Sequence, residues 1–100
     1  MKIEILDEAE LDLVDGFHFY EGQEAGLGWY FLDSLFSDVD SLLLYAGVHE
    51  KNYGFHRCLA KRFPFAVYYS LDDEIIRVHA VLDCRRNPSW IRENLTKRGE

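Results

Sequence analysis

The sequence predicts an α+β fold in which a helical hairpin packs on one face of a small, mainly antiparallel sheet. Two observations predict it. Residues 8–46 repeat apolar side chains at steps of three and four, which is typical of amphipathic helices. Residues 63–84 are rich in aromatic and β-branched residues, and from Ile75 onward polar and apolar positions alternate, which is typical of strands. The predicted element order is β-α-α-β-β-β-α.

The helical half begins after a short strand over residues 2–6. Asp7 is predicted to cap a helix over residues 8–24, with Glu10 completing a capping box. The Ala-Gly-Leu-Gly run at 25–28 ends this helix, and a second helix is predicted to reach Ala46, with Gly47 at its C-terminus. We interpret the apolar stripe of the second helix as core rather than as a partner surface. That stripe comprises Leu32, Leu35, Phe36, Val39, Leu42 and Leu43.

The last two long strands are predicted to form a hairpin around Asp72 and Asp73. Their apolar halves coincide on one face when three pairs form: Tyr69 with Ile76, Val67 with Val78, and Phe65 with Ala80. Pro64 has no backbone N–H, so we place it in the loop of the preceding hairpin, over residues 61–64. After the strands, Pro88 opens a short helix with Asn87 as its cap and Trp90, Ile91 and Leu95 on its apolar side.

These pairings predict a row of three side chains across an open face of the sheet: Arg57, Tyr68 and Arg77. Two guanidinium groups beside a phenol suit the binding of a phosphate or a carboxylate, and the ring is available for stacking. The alternative is a set of ordinary solvated side chains on the outer face of a one-sided sheet. Residue types alone favour that alternative.

Length and composition limit the classes of protein that fit. One hundred residues predict one domain, residues 1–100, and the 48% hydrophobic content excludes a disordered chain. The N-terminus has no signal-peptide pattern and no apolar run approaches about 18 residues, so we expect a cytoplasmic protein with no membrane association. Cys58 and Cys84 are predicted to be buried, reduced thiols. The histidines show no metal-binding spacing, and we expect neither a metal nor a cofactor.

The net charge of −7 is unevenly distributed along the chain. Residues 1–50 carry twelve acidic residues and one lysine, a net charge of −11, whereas residues 51–100 carry ten Lys/Arg and six acidic residues, a net charge of +4. This segregation predicts an anionic partner for the second half. The overall acidity counts against general nucleic-acid binding, which normally uses a basic domain.

Four short patterns point to a known family. Tyr20-Glu21 stands shortly before the Gly-Leu-Gly at 26–28, and Phe31-Leu32 follows. Residues 61–69 read Lys-Arg-Phe-Pro-Phe-Ala-Val-Tyr-Tyr, and residues 81–90 combine an apolar strand, paired arginines, a proline and a tryptophan. In this order and spacing, over roughly residues 8–95, the patterns resemble the RelE/ParE superfamily of bacterial toxins.

This resemblance implies a function. Members of the superfamily are the toxin halves of type II toxin–antitoxin modules, which include plasmid stabilisation systems, and a cognate antitoxin neutralises them by packing along the toxin. The ParE branch blocks DNA gyrase, and the RelE branch cuts messenger RNA in the ribosomal A site. The resemblance therefore implies a growth-inhibiting toxin with an antitoxin as partner and with either gyrase or the mRNA-bound ribosome as target.

The two branches assign different roles to residues. A nuclease would use Arg57 and Arg77, with Lys61 nearby, to hold the scissile phosphate, and Tyr68 and His79 to transfer protons. The late catalytic tyrosine or histidine of the RelE branch has no match after Asp83, because the residue there is a tryptophan, Trp90, which is neither an acid nor a base.

That gap favours the ParE branch, in which the protein is not a hydrolase. Arg85, Arg86 and Trp90 then become the target-binding residues, because they lie where the last strand meets the final helix. A third possibility is a diverged, non-toxic module that only binds an antitoxin. The negative net charge suggests this possibility, since toxins of the superfamily are commonly basic.

Overall fold

The computed structural model describes residues 1–99 and confirms the α+β fold with a helical hairpin on a mainly antiparallel sheet. The elements are β1 (Lys2–Ile5), α1 (Asp7–Gln23), α2 (Leu27–Asp40), α3 (Leu42–Tyr45), β2 (Lys51–Asn52), β3 (Phe55–Leu59), β4 (Phe65–Asp72), β5 (Ile75–Asp83) and α4 (Pro88–Arg98). The strand order is β1-β5-β4-β3-β2, in which β1 runs parallel to β5 and the other neighbours are antiparallel. The two-residue β2 was not predicted.

The first helix begins without the predicted capping box. Leu6 occupies the N-cap position, and no side chain caps the helix, so the prediction for Asp7 and Glu10 is wrong. The reason is that the chain passes from strand to helix with no intervening loop. The amide of Leu6 still donates to the Val78 carbonyl of the sheet at 3.0 Å, and Asp7 is already helical.

Two glycines let α1 and α2 pack closely. A Cβ atom on Gly16 would lie 2.5 Å from the ring of Phe31, and one on Gly28 would lie 2.6 Å from the carbonyl oxygen of Phe17. Any larger residue would force the helices apart, because packed interiors have no room for an extra methyl group. Gly16 and Gly28 therefore set the spacing of the hairpin.

The predicted second helix is interrupted at Ser41, so that α2 ends at Asp40 and α3 follows. Gly47 adopts a left-handed conformation with φ +93 just after α3, as predicted. The apolar stripe divides between two environments. Leu35, Val39 and Leu42 are buried, but Phe36 is 43% exposed and Leu43 is 50% exposed. The interpretation of the whole stripe as core is therefore wrong for Phe36 and Leu43, because they lie to one side of the buried faces of α2 and α3, respectively.

The hairpin of β4 and β5 has a different register from the predicted one. Its turn consists of Asp73 and Glu74, and Asp72 pairs with Ile75. Asp73 adopts the left-handed conformation with φ +56, which a tight two-residue turn requires and which aspartate tolerates. The three predicted cross-strand pairs are therefore wrong. Near the turn, Tyr69 lies opposite Val78, and Leu71 lies opposite Ile76.

A β-bulge at His79 changes which residues of β5 share a face. Tyr69 pairs with Val78 but Tyr68 pairs with Ala80, so His79 has no partner on β4. Beyond the bulge, every side chain of β5 has moved to the opposite face relative to a regular strand. Ala80 consequently lies with Tyr68 on one face, while Val81 joins Val78 on the face that the helical hairpin covers.

The bulge creates a second apolar patch, which α4 covers. The buried residues on this side are Phe55, Ala66, Tyr68, Ala80, Leu82, Ile91 and Leu95. The predicted open face is therefore wrong where α4 lies, and only the end near Ser70 and Arg77 stays partly exposed. The start of α4 agrees with prediction, since Pro88 is its first residue and the side chain of Asn87 accepts a hydrogen bond from the amide of Ser89 at 2.9 Å.

Both cysteines are free thiols. Cys58 is buried in the core between the sheet and the helical hairpin, whereas Cys84 is half-buried against the core beneath α4. The prediction that both are buried therefore holds for Cys58 only. Cys84 lies on the other face because it follows the bulge.

Candidate functional site

Arg57 and Tyr68 are the two sheet candidates that the structure brings together. They pair across β3 and β4 as predicted, and Nε of Arg57 donates to the Tyr68 hydroxyl at 3.3 Å. The guanidinium also contacts Sγ of Cys84 at 3.6 Å. Burial alone would lower the pKa of Arg57, but these two contacts hold it above its usual value. Arg57 forms no ion pair with any residue in the described range 1–99.

Arg77 does not join this pair, so the predicted three-residue row is wrong. It lies on the same face as Tyr68 but opposite Ser70, because the register of the hairpin differs from the predicted one. Its guanidinium contacts two carboxylates, those of Asp72 at 3.3 Å and Glu4 at 3.7 Å. These contacts neutralise its charge, and they leave it poorly suited to hold a phosphate.

His79 and Lys61 lie in two further environments. Nε2 of His79 is 2.8 Å from the hydroxyl oxygen of Ser70, a partner that the sequence did not indicate. Burial, and then the charge of Arg77, lower the pKa of His79. Lys61 is exposed in the loop between β3 and β4, where its backbone N–H donates to the buried Asp38 at 3.3 Å. The five nuclease candidates therefore do not converge on one pocket.

The predicted target-binding residues lie at a different place, on a cleft of about 450 Å³ between α1, the end of β5 and α4. We call it the C-terminal cleft. Its lining includes polar, charged and aromatic side chains from all three elements, among them Asp12, Phe19, Asp83, Arg86, Trp90 and Arg98. Concave surfaces of this kind, lined by apolar groups with a few charges, are the usual places for binding.

Arg86 and Trp90 form a cation–π pair at the mouth of the cleft. The guanidinium carbon of Arg86 lies 3.8 Å from the centroid of the indole ring, well within the range for a favourable contact. Arg86 is exposed and forms no ion pair with another residue between 1 and 99. The pair therefore places an exposed positive charge directly over an aromatic ring.

Arg85 does not share that surface. Its guanidinium donates to both carboxylate oxygens of Asp83, at 2.7 and 3.0 Å, and its backbone N–H donates to the same group at 2.8 Å. These hydrogen bonds lower the pKa of Asp83. The Tyr20 hydroxyl lies 3.5 Å from Arg85 as well. Arg85 therefore holds the turn between β5 and α4, and only Arg86 and Trp90 of the predicted trio form a common surface.

Asp12 and Arg98 are cleft residues that the sequence did not reveal. Arg98 binds the Asp12 carboxylate through both terminal nitrogens, and both side chains are largely buried. Asp12 also accepts from the Val81 amide at 2.9 Å, and Arg98 donates to the His79 carbonyl at 3.2 Å. Burial raises the pKa of Asp12, against the opposing effect of Arg98. The two residues are 86 positions apart, and no local pattern relates them.

Two features are absent from residues 1–99. No helix there is long and apolar enough to cross a membrane. No group of three or more His, Cys, Asp or Glu side chains in the same range is arranged to hold a metal ion.

Comparison with solved structures shows the fold. The chain is similar to a chain of the chromosomal ParDE TA system from P. aeruginosa, with a TM-score of 0.70 and 16% sequence identity. The alignment covers 81% of this chain and 92% of that chain. The fold is ParE-like. Neither a protein-family model nor a curated protein matches the sequence.

The ParE-like fold explains what the first three sequence patterns do. The carboxylate of Glu21 accepts hydrogen bonds from the amides of Gly26, at 3.0 and 3.1 Å, and of Gly28, at 2.9 Å, so that the two parts of the first pattern meet at the turn between the helices. Aromatic residues from three patterns pack into one cluster, made of Tyr20, Phe31, Phe63 and Phe65. These three patterns therefore specify the ParE-like fold, and the target must be inferred from other residues.

Proposed function

We propose that the protein is the toxin component of a type II toxin–antitoxin module, acts in the bacterial cytoplasm by blocking DNA gyrase, and is neutralised by a cognate antitoxin. The observation that carries the proposal is the ParE-like fold over 81% of the chain. The four sequence patterns that resemble the RelE/ParE superfamily support the same assignment, since they lie in the helical hairpin and the sheet that define the fold.

The arrangement of polar residues favours a non-hydrolytic toxin. Cleavage of RNA needs cationic groups and proton-transfer groups around one phosphate. Within residues 1–99, the side chain of Arg57 forms hydrogen bonds with the side chains of Tyr68 and Cys84 alone, and Tyr68 is 3% exposed. Arg77 is neutralised by carboxylates, and His79 lies against Ser70. These groups therefore do not surround one position that a substrate phosphate could occupy.

Arg86 and Trp90 are the proposed target-binding pair. An exposed arginine on an indole ring offers charge, planar hydrogen-bond donors and apolar area in a small space, the combination that dominates many protein interfaces. Its place at the mouth of the C-terminal cleft allows a segment of the target to enter between α1 and α4.

The direct test is inhibition of gyrase by the purified protein in a supercoiling assay. We expect inhibition by the wild type and at least roughly tenfold weaker inhibition by Arg86→Ala, because interface arginines of this kind commonly contribute more than 1 kcal/mol. Arg92→Ala is the matched control. Arg92 is an exposed arginine on α4 away from the cleft, and its replacement should leave inhibition unchanged.

The same preparation should leave ribosome-bound messenger RNA intact. Codon-dependent cleavage with gyrase unaffected would contradict the proposal and establish the nuclease alternative. In that case Arg57→Ala should lower the cleavage rate by about 10²-fold, as the loss of a transition-state donor does. Inactivity in both assays would instead support the non-toxic binding module.

The antitoxin is tested separately. Co-expression with the product of the adjacent gene should give one complex on size-exclusion chromatography, with an interface above roughly 1,000 Å², the norm for lasting complexes. Elution of the two proteins as separate species at micromolar concentration would count against an antitoxin partner. That result would not affect the conclusion drawn from the gyrase assay, because the two experiments test different partners.

A further inference from the structure

Ser70 and His79 meet in a second cleft, on the face of the sheet that α4 covers. The cleft has a volume of about 500 Å³ and lies between the turn that joins β2 to β3, the strands β4 and β5, and the C-terminal end of α4. We call it the sheet cleft. Its lining includes Tyr53, Phe55, Ser70, His79, Leu95 and Thr96. The volume is within the range of sites that bind small molecules.

The β-bulge places His79 beside Ser70. Ser70 pairs with Arg77 across the two strands, whereas His79 has no partner on β4. The imidazole is therefore free to reach diagonally across the hairpin, and its Nε2 lies 2.8 Å from the hydroxyl oxygen of Ser70. Bulges are common beside active sites, where they set the direction of a side chain. The distance is that of a hydrogen bond between a nucleophile and its base.

The surroundings of His79 suit a general base. The ring of Phe55 packs against the imidazole with its centroid 4.6 Å away, which fixes the orientation of the base. Burial, and then the charge of Arg77, lower the pKa of His79, while the charges of Asp72 and Glu8 oppose that shift. The lowered pKa favours an unprotonated Nε2, the form that accepts a proton from a hydroxyl group.

The rest of the lining indicates the class of substrate. Phe55 and Leu95 are 6% and 0% exposed and form apolar walls, which suit a short apolar chain. Tyr53 stands beside them in a left-handed conformation with φ +55, which is rare for a bulky residue and typical of functional sites. Tyr53 and Thr96 also bring hydroxyl groups to the cleft, and such donors bind a carbonyl oxygen. An ester combines these two features.

We propose that Ser70 is a nucleophile activated by His79, and that the sheet cleft hydrolyses short-chain carboxylic esters. No carboxylate of residues 1–99 forms a hydrogen bond with the imidazole, so the pair is a dyad and its turnover should be slow compared with that of a triad. The proposal goes beyond the gyrase-blocking function and does not depend on it.

The reaction has two steps. In the first, the Ser70 oxygen bonds to the acyl carbon and its proton passes to Nε2 of His79. The imidazolium returns this proton to the leaving alcohol as the ester C–O bond breaks. In the second, a water molecule attacks the acyl-serine and gives a proton to Nε2. That proton returns to Ser70 as the carboxylic acid leaves.

The first test is covalent labelling of the full chain with a fluorophosphonate, which forms a stable bond to an activated serine oxygen. We expect one label per chain, and peptide mass mapping should place it on Ser70. This measurement needs no variant, so it does not depend on how a substitution folds.

Variants then assign the roles. Ser70→Ala should not be labelled, and His79→Gln should be labelled at least about 10²-fold more slowly, as the loss of a general base predicts. The matched controls are Ser37→Ala, an exposed serine on α2, and His18→Gln, an exposed histidine on α1, which should both react like the wild type. Circular dichroism checks that every variant is folded.

The second test is turnover of p-nitrophenyl butyrate, measured by release of p-nitrophenolate. We expect catalytic hydrolysis by the wild type and none above the background of buffer by Ser70→Ala purified in the same way. Three outcomes would overturn the proposal. The first is labelling of Ser70 no faster than that of Ser37, and the second is undiminished labelling in the folded His79→Gln variant. The third is the absence of turnover that depends on Ser70.

Discussion

Tyr69 links the sheet to the segment that follows α3. Its hydroxyl oxygen accepts from the Gly47 amide at 2.9 Å and lies 2.6 Å from Nδ1 of His49. If the Tyr69 hydroxyl donates to Nδ1 while accepting from the Gly47 amide, Nδ1 is unprotonated. Burial, and then the nearby His56, lower the pKa of His49. The lowered pKa favours the neutral imidazole in the folded protein.

This arrangement predicts a loss of stability in mild acid. The folded-state pKa of His49 lies below the usual 6.5, so the unfolded chain binds more protons as pH falls through that value. The melting temperature should therefore decrease between about pH 7.5 and pH 6. In His49→Gln this decrease should be smaller, although His79, whose pKa is also lowered, contributes in the same direction.

The hydroxyl of Tyr69 can be tested alone. Tyr69→Phe removes the partner of Gly47 and should lower the free energy of unfolding by about 1–2 kcal/mol in urea titrations at pH 7.5. In the variant, the pKa of His49, measured by NMR, should move up toward 6.5, since Nδ1 no longer accepts from a phenol. A wild-type His49 pKa at or above 6.5 would show that the hydrogen bond does not hold the ring neutral.

At the scale of elements, the turn between α1 and α2 depends on one carboxylate. Glu21 reaches across this turn from the last part of α1 to the first amides of α2, which have no intrahelical partners. Gly26, with φ +91, gives the chain the left-handed step that brings those amides to the carboxylate. The Tyr-Glu and Gly-Leu-Gly segments therefore stabilise the turn together.

Glu21→Gln should weaken the hydrogen bonds that stabilise the turn between α1 and α2. The neutral amide retains an acceptor but loses the charge that strengthens hydrogen bonds from helix N-terminal amides, and we expect unfolding free energy to decrease by roughly 1 kcal/mol. Glu24→Gln is the matched control, because Glu24 is exposed and close by, and it should change stability by less than about 0.5 kcal/mol. If both substitutions lowered the stability equally in thermal unfolding, the cause would be the loss of a negative charge. The hydrogen bonds from Gly26 and Gly28 to Glu21 would then not be responsible.

At the scale of the whole molecule, Asp12 and Arg98 join the first helix to the last. Their ion pair crosses the edge of β5 beyond the end of β1, where the sheet would otherwise have unpaired backbone groups. Asp12 satisfies an N–H of that edge, and Arg98 satisfies a carbonyl. The pair therefore closes the sheet on this side and forms one wall of the C-terminal cleft.

Replacing one member of the pair should be strongly destabilising. Arg98→Met leaves Asp12 buried without its cation, and we expect a loss of roughly 3 kcal/mol in unfolding free energy. The double variant with Asp12→Asn should recover part of that loss, since no uncompensated charge then remains buried. Arg92→Met, an exposed control on the same helix, should be nearly neutral. Additive losses in the double variant would show that the two residues act independently.

The sequence predicted much of the architecture because local physics decides it. The element order, the helical hairpin, the loop at 61–64 and the start of α4 at Asn87 and Pro88 follow from periodicity, proline geometry and capping. Of the candidate site, the pairing of Arg57 with Tyr68 was predicted correctly, because the position of Pro64 determines that hairpin. The resemblance to the RelE/ParE superfamily rests on the same local patterns.

Only the tertiary structure decided how the faces of the sheet are used. The turn at Asp73 and Glu74 and the bulge at His79 move Ala80 and Leu82 to the face that α4 covers, and a bulge leaves no mark in a pattern of alternating residues. The same is true of the pair of Asp12 and Arg98, which are distant in sequence. On α2, only the orientation of the helix determined that Phe36 is exposed while Leu35 is buried. Local sequence determines which segments are helices and strands, whereas long-range packing determines which side chains meet.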